Sequence, residues 1–446
     1  MSIKFKSIEL KKEFINVINT INSYKNSYEY LKIEDIYEDE LNNVADYFQK
    51  VKCVGDEYTE EECWELGYDL DSTDEVIDDE IEISLSIDEY DNEIECTLKE
   101  FIDIVKVALN STINEDGICI SEREIIIRVE IKDIENPYIY ESFPYFNVNF
   151  LYKDYEVNVS IEDKNSTYIM KNYFDGNYDE NYPLTLIDEL FMKIQVNGDY
   201  ILCEKEIYEI FNVCAYEIFK KCNYKLNITP RQLRYFDEDD IDDDIDDDID
   251  EIDEKLFSNG LSEILDIFNN AEGYDNNRSI VEYVKVIEYI SATVIRKKLT
   301  EEVMSEISEL DDVNLISNHI ERLEKIFINN NKNTKMDSDK IKETIIECCN
   351  VEKLAEYSPM YLKSLYNLRN IRNVKEANIK SAKNDLARSI SNTRNNLSHA
   401  KVNYQKKDLE CPDNEKEQFV VLLRNVCIQM IEWYSKADNN IRVIES

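Results

Sequence analysis

An α+β domain followed by an all-α helical bundle is the architecture the sequence predicts, and three observations predict it. Strand-like alternation of apolar and polar residues is confined to the first half. Apolar residues at three- and four-residue spacing dominate the second half. Between the halves runs DEDDIDDDIDDDIDEIDE, Asp237 to Glu254, with 14 acidic residues in 18. Such a run repels itself and favours a solvated linker. The expected organisation is an acidic α+β sensor or regulatory domain over 1–236, an acidic linker over 237–254 and a helical bundle over 255–446. With 446 residues, 43% of them apolar, the chain can bury substantial cores in two or three domains.

In the first half, LKKEFINVINTI near the start, LKEFIDIVKVAL from Leu98 and KEIYEIFNVCAYEIFKKC from Lys205 carry helical periodicity. EIEISLSI from Glu80 and REIIIRVEI from Arg123 read as strands. FNVNFLY and YEVNVSI read as two more, joined as a hairpin across Lys153 and Asp154. Only seven glycines occur and none forms a phosphate loop, which argues against a nucleotide-binding fold of the Rossmann type.

In the second half, Ile280, Tyr283, Val284, Ile287, Ser291 and Val294 trace one helix face. Ile316, Ile320, Leu323 and Phe327 trace a second, and Ile341, Ile345 and Cys348 a third. Ile379, Ala382, Leu386, Ile390, Thr393 and Leu397 outline a long helix that ends near His399. Phe419, Leu422, Leu423, Val426, Met430 and Trp433 outline the last helix, after a loop broken by Pro412 and Asn414. A bundle of about five or six helices follows.

Charge divides the chain sharply. The net charge is −45, yet from Lys255 onward 28 basic residues nearly balance 30 acidic ones. The first half would repel nucleic acid and anionic membranes. Lys353 to Lys407, with 12 basic and 3 acidic residues, is the local exception a nucleic-acid role requires. The isoleucines of the acidic run also leave open a docked amphipathic helix in place of a linker.

The eleven cysteines show no C-x-x-C pair, so they read as reduced, mostly buried thiols. No apolar run reaches the roughly 18–20 residues that span a bilayer. The start, MSIKFKSIELKKEF, lacks a signal-peptide pattern, so a cytoplasmic location and no membrane partner are expected.

His399 is one of only two histidines, and it follows Arg394 and Asn395 in SISNTRNNLSHAKVNY. A guanidinium clamps phosphate bidentately, an amide orients a hydroxyl or phosphate oxygen, and an imidazole titrates near neutral pH. RNA supplies its own nucleophile, the 2′-hydroxyl, so this set suits cleavage without a metal or other cofactor. On an ideal helix Arg394 and His399 lie roughly 140° apart, so two facing copies would focus them better than one. The other histidine, His319, reads as a solvated side chain on a polar helix face. Lys401, Lys406 and Lys407 are candidate backbone-binding residues for RNA, and Tyr404 is a candidate base-stacking residue.

Arg394-Asn395-x-x-x-His399, at the end of a penultimate helix in an all-helical region, resembles the signature of the HEPN superfamily (higher eukaryotes and prokaryotes nucleotide-binding). The resemblance covers roughly Asn277 to Ser446. It implies a HEPN-like bundle that dimerises, a composite site with Arg394 and His399 as the essential pair, and RNA products ending in 2′,3′-cyclic phosphate. The domain order resembles the anti-phage ApeA group. The tyrosine that one toxin branch carries two places after the histidine is replaced by Lys401.

The function expected is therefore a metal-independent endoribonuclease of defence or toxin type, acting on tRNA or messenger RNA as a homodimer. A phage protein as trigger and a basic protein that binds the acidic half are both candidate partners. Two other readings remain open: a HEPN-like module that binds RNA or protein without catalysis, and an acidic nucleic-acid mimic that binds a basic partner.

Overall fold

The structure is a computed structural model. It describes residues 3–24, 32–34, 49–50, 52–56, 59, 75–86, 93–122, 124–131, 143–162, 165–175, 190–198, 200–229, 249, 251–258, 260–271, 275–308, 316–333, 336–371, 374–398 and 408–444. The chain forms two compact units. One comprises Met1–Ile201 with Leu226–Glu251, the other Leu202–Lys225 with Ile252–Ser446.

The first unit is a mixed α/β structure. Strands β1 (Ile3–Phe5), β3 (Lys52–Cys53) and β4 (Glu75–Ile77) form a small parallel sheet in the order β3-β1-β4. Strands β2 (Lys32–Glu34), β5 (Glu82–Ser86) and β6 (Glu93–Thr97) form an antiparallel one in the order β2-β5-β6. Helix α1 (Ile8–Ser23) begins at Ser7, whose hydroxyl accepts from the Leu10 amide. Helix α2 (Leu98–Asn110) begins with a capping box between Thr97 and Glu100, which satisfies amides that an α-helix leaves unpaired. Phe5, Phe14, Ile18, Phe101 and Val105 form the core between these elements.

The larger sheet is antiparallel throughout. Its strands are β7 (Thr112–Ile113), β8 (Ile118–Ile120), β9 (Glu124–Ile131), β10 (Asn147–Tyr152), β11 (Tyr155–Glu162), β12 (Leu190–Val196) and β13 (Leu226–Ile228). They run in the order β10-β11-β12-β9-β8-β7, with β13 also paired to β9. The expected hairpin is present: Tyr152 pairs with Tyr155. Lys153 and Asp154 both take positive φ, 50° and 70°, as a tight two-residue hairpin turn requires. Helix α3 (Ser166–Phe174) lays Tyr168 against Phe191 of this sheet, with ring centroids 5.0 Å apart.

The acidic run departs from a wholly solvated linker at its C-terminal end. Ile249 is fully buried and bridges Phe146. Its amide donates to the Tyr145 carbonyl at 2.9 Å, and its carbonyl accepts from Asn147 at 3.3 Å. An edge strand offers unpaired backbone groups, and burial of one isoleucine contributes about 1.5–3 kcal/mol. Positions 237–248 and 250 lie outside the described residues.

The second unit is helical. It comprises α4 (Glu204–Cys222), α5 (Leu261–Ala271), α6 (Asn276–Ser308), α7 (Ile316–Asn333), α8 (Asp337–Cys348), the short α9 (Val351–Leu354) and α10 (Lys363–Tyr366), then α11 (Glu376–Ser398) and α12 (Lys416–Ser435). Its core gathers Phe268, Tyr283, Ile287, Ile345, Leu386, Ile390, Phe419 and Met430.

Two expectations need correction here. A boundary at the acidic run places helix α4 in the first domain, yet it belongs to the helical unit. Tyr216 and Phe219 pack edge-on against Phe268, with centroids 5.2 and 5.9 Å away. The acidic run marks a change of composition, whereas the packing boundary follows these aromatic contacts. His319 is not solvated either: it is 6% exposed, with Nδ1 2.6 Å from Glu306 Oε1. Arg322 lies 3.4 Å from the same carboxylate oxygen. On the apolar face expected of α7, Ile320 and Phe327 stand about half exposed.

Candidate functional site

Helix α11 positions the Arg394 motif. Ala382, Leu386 and Ile390 are fully buried along its inner face, and Thr393 is buried with them. With 3.6 residues per turn, that face fixes where every other side chain points. Arg394 lies just beside the buried stripe, so its side chain is only 26% exposed and meets α6. Its Nη2 sits 3.0 Å from Glu288 Oε1. That oxygen is inaccessible to solvent and has no aligned hydrogen-bond donor, so the contact is an ion pair. Nη1 donates weakly to Asn395 Oδ1 at 3.4 Å, which brings the expected Arg394 and Asn395 together.

The opposite side of α11 holds the chain where it returns. Arg388, Asn392 and Asn396 recur at four-residue spacing and form one ridge. Arg388 pairs with Asp408 at 3.4 Å, an exposed contact worth little by itself. Asn392 donates to the Asp408 carbonyl at 2.8 Å, and Asn396 Nδ2 donates to Glu410 Oε1 at 2.6 Å. From the adjoining ridge, Thr393 Oγ1 accepts the Cys411 amide at 2.9 Å. Ser389 Oγ lies 2.6 Å from the Tyr361 hydroxyl. Burial pushes the Cys411 thiol up to about 12, so it stays protonated beside that tyrosine.

Asp408, Glu410 and Cys411 are thereby tied to α11. His399, Lys401, Tyr404, Lys406 and Lys407 lie between Ser398 and Asp408, outside the described residues. Of the expected site, the structure therefore places Arg394 and Asn395.

The basic island is not uniformly available to a ligand. Arg369 donates to the Glu356 and Ser358 carbonyls at 2.7 Å each and also to the Ala355 carbonyl. Its guanidinium stacks 4.4 Å from the Tyr366 ring centre. This arginine staples a turn. Lys383 donates to the Ile346 carbonyl at 2.7 Å, closing the end of α8.

Next to Glu288, helices α5, α6 and α8 border a groove of about 410 Å³, lined by Ile267, Lys285, Glu288, Tyr289, Ser291, Asp337 and Lys340. Sequence reasoning did not single out Glu288, Asn396 or Glu410. Glu288 had a legible signal: it stands four places after Val284 and three before Ser291, a carboxylate at the margin of an apolar stripe.

Among the described residues, no group of three or more His, Cys, Asp and Glu side chains is gathered as a metal site, and no helix is long and apolar enough to cross a membrane. No family model, curated protein or solved structure matches the chain.

Proposed function

We propose that the chain is a metal-independent endoribonuclease of the HEPN type, acting in defence or as a toxin on tRNA or messenger RNA. The observation that carries this reading is the Arg394-Asn395-x-x-x-His399 sequence, with Arg394 and Asn395 near the end of α11 in a helical unit. Arg394 is seated beside α6 with about a quarter of its side chain open to solvent, which supports a phosphate-binding role.

In this mechanism a base takes the proton of the RNA 2′-hydroxyl, and the 2′-oxygen attacks the adjacent phosphorus. The bond from phosphorus to the 5′-oxygen breaks. An acid protonates that leaving oxygen, which yields a 2′,3′-cyclic phosphate and a 5′-hydroxyl. Arg394 holds the charge that grows on the pentavalent phosphate, Asn395 orients an oxygen, and His399 is the acid or base. Two copies of the chain complete the site in this reading, because an ideal helix would set Arg394 and His399 roughly 140° apart. Lys401, Lys406 and Lys407 contact the RNA backbone and Tyr404 stacks on a base in this reading.

The test is incubation of the full chain with total cellular RNA in excess EDTA, beside its His399→Ala variant, with product ends mapped. Cyclic phosphate ends from the parent chain and none from the variant are expected. Equal cleavage by both would overturn the assignment of His399, and RNA binding without cleavage would favour a non-catalytic module.

A further inference from the structure

We infer that Glu288 is a positioning residue for Arg394, an inference that rests on the ribonuclease reading above. Glu288 stands on α6 between the fully buried Ile287 and the fully buried Ile290 two places on, so the backbone that carries it is fixed by the core. Its Oε1 is solvent-inaccessible and lies 3.0 Å from Arg394 Nη2.

The nearby lysines in the groove are committed elsewhere. Lys285 Nζ donates to both carboxylate oxygens of Glu282 at 2.7 Å, and Lys340 pairs with Asp337 at 3.4 Å. Among the described residues, Arg394 is thus the cation that faces Glu288.

A carboxylate beside a catalytic arginine can act in two opposite ways. It can mask the guanidinium until a phosphate displaces it, or it can hold the guanidinium while phosphate takes the remaining N–H donors. The donor count favours the second. The Glu288 side chain is 32% and the Arg394 side chain 26% exposed, so phosphate reaches the pair from solvent and need not displace the carboxylate to find N–H donors. A guanidinium has five N–H donors, and this one directs Nη2 at Glu288 and Nη1 at Asn395. Phosphate therefore adds to a guanidinium already seated on Glu288. The pairing acts on the geometry of the transition state more than on RNA affinity, so its loss lowers kcat and leaves KM nearly unchanged.

The test uses the full chain and a fluorescently labelled single-stranded RNA, with His399→Ala as the blank. Glu288→Ala is expected to lower kcat at least tenfold, by about the loss a misplaced catalytic group causes, with KM within about twofold. Glu288→Gln keeps the reach but removes the charge of the ion pair, and it is expected to fall with Glu288→Ala. Glu288→Asp keeps the charge at a shorter reach and is expected to recover part of the lost kcat. An unchanged kcat in Glu288→Ala, or a lowered KM with faster cleavage, would overturn the inference, the latter in favour of masking.

The pair is also read without RNA, by unfolding midpoints of Glu288→Ala, Arg394→Ala and the double variant. A non-additive cycle supports the contact, and strict additivity overturns it. Absence of cleavage by the parent chain together with a non-additive cycle would instead sink the ribonuclease reading, and the assigned role of Glu288 with it, while leaving the ion pair standing.

Discussion

Asn396 Nδ2 donates to Glu410 Oε1 across 2.6 Å, which joins the last turn of α11 to the segment that returns towards α12. Glu410 is only 6% exposed, so this amide reaches a carboxylate that water hardly touches. Its neighbours Asn392 and Thr393 hold the same returning segment, at Asp408 and Cys411.

Removing that donor should cost stability. Asn396→Ala is expected to destabilise the chain by about 1–3 kcal/mol in urea unfolding. Asn396→Asp is expected to be worse at neutral pH, because it sets a second carboxylate against Glu410, and to improve as the pH falls.

Gly260 occupies a conformation that other residues take at a cost, with φ +87°. A Cβ built there would lie 2.5 Å from the Tyr434 hydroxyl oxygen. Gly260→Ala should therefore combine backbone strain with overpacking, about 2–5 kcal/mol together. Gly55, at φ +98° with no atom within 4 Å of such a Cβ, is the control: Gly55→Ala should show the backbone cost alone, about 1–2 kcal/mol. Chemical denaturation of the two variants checks the difference.

Glu217 on α4 is 5% exposed, and burial raises its pKa, with Lys220 and Lys221 opposing and Asp253 and Glu432 adding to the rise. A raised folded-state pKa contributes stability that is full below the unfolded value, about 4.3, and is lost as pH climbs through the folded value. Glu217→Gln should thus raise the thermal midpoint by about 1–2 °C at pH 7 and leave it unchanged near pH 4. A midpoint gain of equal size at both pH values would rule out this ionisation as the cause.

Native-state alkylation should separate the cysteines by burial. Cys203 is exposed, whereas Cys119, Cys349 and Cys411 are buried. Burial pushes the Cys119 thiol up to about 11 and that of Cys349 up to about 12. At pH 8 the thiolate is the reacting form, so Cys203 should label in minutes and these three only after denaturation. Peptide mapping after a timed iodoacetamide pulse reads the order directly.

Much of the local structure was legible. The alternation in Asn147–Tyr152 and Tyr155–Glu162 is matched by the β10–β11 hairpin, with its turn at the expected pair. The stripe from Ala382 to Leu397 is matched by α11, whose buried face those residues supply. The allegiance of α4 was not legible, because periodicity reports that a face is buried and says nothing of the partner it meets. The lone histidine on α7 failed for a similar reason: Glu306 lies on another helix, and no local pattern pairs it with His319.

By itself the sequence determined what depends on near neighbours. It set the strand and helix periods, the split in charge, and the placement of Arg394 and Asn395 on the closing turn of a long helix. These follow from side-chain spacing along one element. The tertiary structure alone decided what depends on residues far apart in the chain: that Glu288 faces Arg394, that Glu410 returns to Asn396, and that Ile249 leaves the acidic run to bury itself at a sheet edge. Each of these pairs a group from one element with a group from another, and only packing brings such groups within a bond length of hydrogen or charge.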